Sequence, residues 1–383
     1  MPSARRRPIL AHVETSKPTA HRRCVPGRAG LAGLAAALVV AACASTPTVS
    51  PNVATTFTVD VGHEDRDKAW QAEAFFPRAL TVNVGDSITF TQATNEPHTV
   101  TFNPPSTFPD PFVEQPDHAL QANPLVFQAS PADGTSDLAA PVKRAVSFDG
   151  TGYVSSGFLG KPQDTFTVTF TSPGTWTAVC LFHAPTMKVT VIVNPRGTPR
   201  PMTEADYRAV AADQVRAAQA RAADLLTSLR VPDPTTTSGG ARSFVVWAGA
   251  GDALQGIDYE RFIGGERLSI KAGDSVTFDL SRNRAKVLHT VTFPAGMELP
   301  GRFTQVTTAD GGSGLTINPR VVMPSPTSPA PFDGKSFTSS GLLVTGGATP
   351  QTWTVTFPLP GTFPYRCLLH DAEGMVGTVI VRP

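Results

Sequence analysis

The sequence predicts an all-β protein of two β-sandwich domains joined by an α-helical linker, and three observations lead there. Short runs rich in Val, Thr and Phe are separated by abundant proline (36) and glycine (32), the punctuation of frequent turns. Within those runs apolar residues alternate with threonine, the period of a half-buried strand. Four phrases also recur in the same order along the 383 residues, which composition alone does not produce.

From the N-terminus, Arg22, Arg23 and Arg28 precede an apolar run from Leu31 to Ala42, which has the length of a signal peptide and is too short to span a bilayer. The run ends Val40-Ala41-Ala42-Cys43, which resembles the lipobox of bacterial lipoproteins. That resemblance implies cleavage before Cys43, a lipid on its sulfur and a membrane anchor. The expected location is the bacterial cell envelope, outside the cytoplasm. The expected segments are a signal peptide (1–42), a flexible tether (43–52), a first domain (53–196), a helical linker (197–238) and a second domain (239–383).

The repeat defines the two domains. Val84-Gly85-Asp86-Ser87-Ile88-Thr89-Phe90 returns as Ala272-Gly273-Asp274-Ser275-Val276-Thr277-Phe278. Phe148-Asp149-Gly150 with Ser155-Ser156-Gly157 returns as Phe332-Asp333-Gly334 with Ser339-Ser340-Gly341. Ser172-Pro173-Gly174-Thr175 returns as Leu359-Pro360-Gly361-Thr362, and a His-Thr-Val-Thr-Phe phrase begins at both His98 and His289. Phe166, Val168 and Phe170, like Trp353, Val355 and Phe357, alternate with threonines, and each run ends at a Pro-Gly turn. The closing strands are Lys188 to Val193 and Val376 to Val381. The Pro/Gly/Ser-rich stretches between His98 and Cys180, and between His289 and Cys367, read as long ordered excursions.

Thr203 to Leu229 breaks the β pattern. It opens with a near capping box, Thr203-Glu204-Ala205-Asp206. Tyr207, Ala211, Val215, Ala218, Ala222, Leu225 and Leu229 then form an apolar stripe at helical spacing. A lone helix is marginal in water, so this one is expected to pack on one of the domains as well as space them.

The chemistry lies in a Cys-x-x-His followed closely by Met, present twice: Cys180, His183, Met187 and Cys367, His370, Met375. His98 and His289 stand far upstream in matching phrases. One thiolate, two imidazoles and a weak thioether are the ligand set of a blue-copper electron-transfer site. Three of the four ligands come from one short loop and the fourth from a remote strand, so domain packing fixes the cage before the metal arrives. Cys24 and Cys43 precede the mature domains, which leaves Cys180 and Cys367 in equivalent places of two cores, where a mutual disulfide is not expected.

The sequence here resembles the cupredoxin (plastocyanin/azurin-type) family over nearly all of both repeats. The resemblance rests on Gly-Asp-x-[Val/Ile]-Thr-Phe, on His-Thr-Val and on Tyr365-Arg366-Cys367-Leu368-Leu369-His370 through Met375-Val376-Gly377. It implies Greek-key sandwiches and two type 1 copper ions cycling between Cu(I) and Cu(II). One ion would be held by His98, Cys180, His183 and Met187, the other by His289, Cys367, His370 and Met375. The first copy departs from the pattern, with three residues between His183 and Met187 where the second has four, and Val189 in the place of Gly377.

The cupredoxin-containing oxidases and nitrite reductases need further histidines. Beyond the eight proposed ligands the mature chain has only His63 and His118, so an enzyme is not expected. The expected role is one-electron transfer at the cell surface, with copper capture, storage or delivery as the alternative. Leu181 and Phe182, with Leu368 and Leu369, are expected to form apolar patches around the loop histidines where a redox protein docks transiently. With a net charge of +1 and no basic run interleaved with aromatics, nucleic acid is not an expected partner.

Overall fold

In each copy two sheets face one another across an aromatic core. The computed structural model describes residues 53–65, 70–116, 119–131, 142–284, 287–307, 313–325, 331–344 and 351–383. The expected signal peptide, the tether with Cys43, and His118 lie outside these residues. No helix among them is long and apolar enough to cross a membrane.

In the first copy one sheet runs Trp70–Phe76, Thr56–Asp65, Ser87–Gln92, Thr165–Phe170, Lys143–Phe148. The other runs Ala79–Asn83, Lys188–Asn194, Gly174–Val179, Thr101–Phe102, Val154–Ser155. The expected alternation is present: Phe166, Val168 and Phe170 point inward to Phe57, Phe90, Phe102 and Phe148, while the intervening threonines face outward. The second copy repeats the plan. Ile257–Ile263, Arg242–Asp252, Ser275–Asp279 and Thr352–Thr356 form one sheet, and Leu268–Lys271, Val376–Arg382, Gly361–Arg366, Thr292–Phe293 and Thr338–Ser339 form the other. The protein is all-β, with one long helix.

The repeated phrases have physical jobs. Asp86 accepts hydrogen bonds from the Thr55 and Asn83 amides, and Asp274 from those of Arg242 and Lys271, so each Gly-Asp pair pins a strand-to-strand turn. In the Ser-Ser-Gly phrases, Ser156 Oγ accepts from the Val100 amide and Ser340 Oγ from that of Val291. They brace the strand that follows each upstream histidine.

The copies are joined more closely than by a linker. Strand Ile257–Ile263 pairs antiparallel with Trp70–Phe76 (Ile257↔Ala72, Asp258↔Gln71, Tyr259↔Trp70), so one sheet runs through both copies. The helix Glu204–Ser228 carries the expected capping box between Thr203 and Asp206. It does not rest on one copy, as its stripe suggested, but lies across the joint. Ala211, Ala218 and Ala222 pack with Trp70, Ala72, Ala74 and Phe76 of the first copy and Ala250, Ile257 and Tyr259 of the second. Tyr259 Oη donates to the Ala222 carbonyl at 2.7 Å. Strand pairing, not the helix, sets the separation of the copies.

The excursions are joined too. Hairpin Phe112–Glu114/Leu120–Ala122 and hairpin Phe303–Thr307/Ser313–Ile317 form one four-stranded sheet through Thr316↔Gln121. Short helices Pro124–Phe127 and Pro319–Val322, capped by Asn123 and Asn318, follow each hairpin.

Candidate metal centres

Each copy brings three of its four expected ligands into a tight triangle. In the first, His98 Nδ1 lies 3.2 Å from His183 Nδ1, and Cys180 Sγ lies 3.6 and 3.5 Å from the two nitrogens. In the second, the His289 and His370 Nδ1 atoms are 3.0 Å apart, with Cys367 Sγ at 3.9 and 3.6 Å. A soft divalent-type ion with bonds of about 2.0 Å to nitrogen and about 2.3 Å to sulfur spans donor separations of about 3 to 4 Å. The residues therefore fit a three-coordinate metal in both triangles. Met187 and Met375 are fully buried in the same cores, and their carbonyls accept from the Cys180 and Cys367 amides at 3.0 Å. Both cysteines are free and buried.

The sequence builds each cage from the loop outward. Cys180 leaves strand Gly174–Val179 and Met187 leads into Lys188–Asn194, so the ligand loop closes between two paired strands. The His183 carbonyl accepts from the Thr186 and Met187 amides, which turns the loop back on itself. The threonine after each upstream histidine clamps the remote strand to that loop. The Thr99 amide donates to Cys180 Sγ at 3.4 Å while Thr99 Oγ1 accepts from the Leu181 amide at 2.8 Å; Thr290 does the same with Cys367 (3.3 Å) and Leu368 (2.8 Å). A backbone donor aimed at sulfur favours the thiolate.

Two glycines set the far edge of the rings. Gly62 and Gly249 occupy matching β-bulges with φ of +77° and +82°. A Cβ on Gly62 would come within 2.8 Å of His98 Nε2, and one on Gly249 within 2.6 Å of His289 Nε2. Only a residue without a side chain allows the ring to sit there.

The triangles differ in their protons. Burial pushes the Cys180 thiol up to about 12, and burial with the nearby His183 brings His98 down to about 3. In the second triangle burial again opposes ionisation of Cys367, but His370 and His289 outweigh it and hold the thiol well below its ordinary value. His370 is raised well above its own, since Cys367, Glu260 and Glu96 outweigh its burial. His370 Nε2 also donates to Glu96 Oε2 at 3.2 Å and lies 3.9 Å from Glu260, whereas His183 Nε2 lies 3.7 Å from Glu73 and 3.8 Å from Glu96.

The two triangles face each other. Glu96 of the first copy lies between His183 and His370, so both loop histidines point into the joint and not to solvent. Of the residues expected in the docking patches, Leu181 and Leu368 are buried. Leu181 packs under Val126, Phe108 and Phe127, and Leu368 under Ile317 and Val321. Phe182 and Leu369 are only partly exposed and pack in the same clusters. The short excursion helices cover these residues, a burial that the apolar sequence itself called for. His63 is half-buried beside Trp70 and Phe76 and belongs to neither triangle.

Sequence reading missed Glu73, Glu96 and Glu260, which border the loop histidines, and Gln71 and Asp258, which bond to Glu260 and Asn283 on the paired strands' side. A signal was present. In Trp70-Gln71-Ala72-Glu73-Ala74 and Ile257-Asp258-Tyr259-Glu260, polar residues, three of them acids, alternate with apolar ones at matching places of the repeat. That pattern looks like a solvated strand face until the two strands are known to pair with each other.

No protein-family model matches this chain, and no curated protein does. Among solved structures, a Cu(I) form of an amicyanin mutant is 21% identical, covering 40% of this chain and 97% of its own at a TM-score of 0.20. An oxidized amicyanin mutant is 22% identical over 40% of this chain and 97% of its own, also at 0.20. A mutant fern plastocyanin is 22% identical over 36% of this chain and 99% of its own, at 0.21. Scores of this size define no common fold, and the architecture above stands on its own strand pairing.

Proposed function

We propose that this chain is a two-copper electron-transfer protein, with one type 1 copper held in each triangle. The observation that carries the reading is the pair of buried His-Cys-His groups, whose three donor atoms lie within 4.8 Å of one another in each copy, with Met187 or Met375 beside them. Bound there, copper would supply a one-electron Cu(I)/Cu(II) couple. The chain's own part is to hold both imidazoles and the sulfur in fixed positions through Thr99, Thr290 and the paired strands, so that little must move when charge changes. The closed, buried setting suits electron exchange better than capture and release, which favours transfer over storage. Because His183 and His370 face each other across Glu96, the reading includes exchange between the two centres. Export and tethering through a lipid on Cys43, and a transient redox protein as partner, belong to the same proposal and rest on sequence alone.

The test is an anaerobic redox titration of the copper-loaded mature protein followed by visible absorption. Intense thiolate-to-copper absorption that bleaches in two one-electron steps supports the reading. Colourless copper binding points to storage, and no copper binding removes the reading altogether.

A further inference from the structure

The repeat breaks at the carboxylate that lies between the two triangles. Most of the joint is symmetric: Glu73 and Glu260 occupy matching places beyond the two β-bulges. Each lies beside the loop histidine of its own copy, Glu73 at 3.7 Å from His183 Nε2 and Glu260 at 3.9 Å from His370 Nε2. Glu96 has no such twin, because Val287 stands at the matching place before His289. Although it belongs to the first copy, Glu96 is bonded to the second. His370 Nε2 donates to its Oε2 at 3.2 Å, while its Oε1 stays 3.8 Å from His183 Nε2, too far for a hydrogen bond.

The loop before His98 is built to hold that carboxylate in place. The Asn95 amide donates to Glu64 Oε2 at 2.8 Å, and Asn95 Nδ2 to Glu64 Oε1 at 2.7 Å. Thr94 Oγ1 donates to the Glu96 carbonyl at 3.0 Å, and Gln92 Nε2 donates to the same oxygen. Gln92 and Thr94 are both buried, and the second copy has Leu280 at the place of Gln92. The side chains of Glu96 and His370 are 15% and 3% exposed, so water competes little for the bond between them. Among the described residues, the ion-pair neighbours of Glu96 are the two loop histidines alone.

We propose that Glu96 is a positioning residue supplied by the first copy to the second centre, where it lowers the reduction potential more than it does at the first. The inference rests on the copper reading above. A carboxylate on the outer N–H of a ligand imidazole fixes the ring and makes its inner nitrogen a stronger donor. Stronger donation favours Cu(II) over Cu(I), which lowers the potential. His183 has the same charge nearby but no bond to it, so its centre responds less. The bond therefore biases a single electron toward the first copper: the second goes from Cu(I) to Cu(II) as the first goes from Cu(II) to Cu(I). A copy on its own, lacking the other, would not have this asymmetry.

The test is redox titration of the copper-loaded full chain as wild type, Glu96→Gln and Glu96→Ala. Each is repeated in a Cys180→Ser background, which isolates the second centre, and in Cys367→Ser, which isolates the first. Glu96→Gln keeps an acceptor and removes the charge; Glu96→Ala removes both. Either should favour Cu(I) at the second centre by about tenfold, a rise of about 59 mV for one electron, and shift the first centre by less. One variant suffices if the other does not fold. A second readout needs no copper. With Zn²⁺ held at Nδ1, proton-nitrogen NMR should show the His370 Nε2 proton downfield and slow to exchange, and Glu96→Ala should abolish that signal. No shift, equal shifts at the two centres, or a fast-exchanging His370 proton in the wild type overturns this proposal and leaves the copper reading standing. A wild type that binds no copper overturns both.

Discussion

Gly249→Ala tests whether the β-bulge positions a metal-binding ring. At φ of +82° an alanine pays the left-handed backbone cost, about 1 to 2 kcal/mol. Its Cβ would also meet His289 Nε2 at 2.6 Å and Asn283 Nδ2 at 3.0 Å, and overpacking of that kind costs about 1 to 3 kcal/mol. The combined loss should be about 2 to 5 kcal/mol in urea unfolding of the metal-free protein. Gly273→Ala supplies the control, since Gly273 has φ of +94° but nothing within 4 Å of the added carbon. It should lose only the backbone part. The ring displacement should also weaken metal binding in the second triangle and spare the first, while Gly62→Ala does the reverse. If Gly249→Ala costs no more than Gly273→Ala and leaves both triangles' affinities unchanged, the positioning argument is wrong.

Three further outcomes follow from other contacts. The His98 imidazole, held near 3 against an ordinary 6.5, stays neutral in the folded chain while the unfolded chain gains a proton. Stability of the metal-free protein should therefore fall as pH drops from 6.5 toward 3, by about 2 kcal/mol at pH 5 from this group; urea midpoints of wild type and His98→Gln at pH 7 and 5 read it, and equal slopes would contradict it. Thr290→Val leaves the buried Leu368 amide without its 2.8 Å acceptor and should cost about 1 to 3 kcal/mol, with a loosened second triangle seen as weaker metal affinity. Tyr259→Phe removes the bond to the Ala222 carbonyl and should cost about 1 kcal/mol, with faster amide exchange in the C-terminal half of the long helix.

What could be read in the sequence was what is local or repeated. The Phe166-Val168-Phe170 alternation and the Tyr207 to Leu229 stripe are periodic, so strand and helix follow from side-chain geometry alone. The ligand quartets were legible because duplication placed the same residue types in register twice. The relation between the copies was not. Trp70–Phe76 and Ile257–Ile263 each carry two polar side chains on one face, Gln71 and Glu73 or Asp258 and Glu260, which a single strand shows to water and only a paired one buries. Leu181 and Leu368 looked like a docking surface because nothing local in the excursions says that their short helices fold back over the ligand loops. Glu96 has no counterpart in the second copy, where Val287 stands at the matching place, so repeat logic could not single it out.

The account stands most directly on how many coppers the chain holds and which sulfurs hold them. Copper content should be measured on the purified protein and on Cys180→Ser, Cys367→Ser and the double variant, each checked for folding by circular dichroism. The expected contents are two coppers per chain for the wild type, one for each single variant and none for the double. A wild type with no tightly held copper, or single variants that keep both ions, would contradict it.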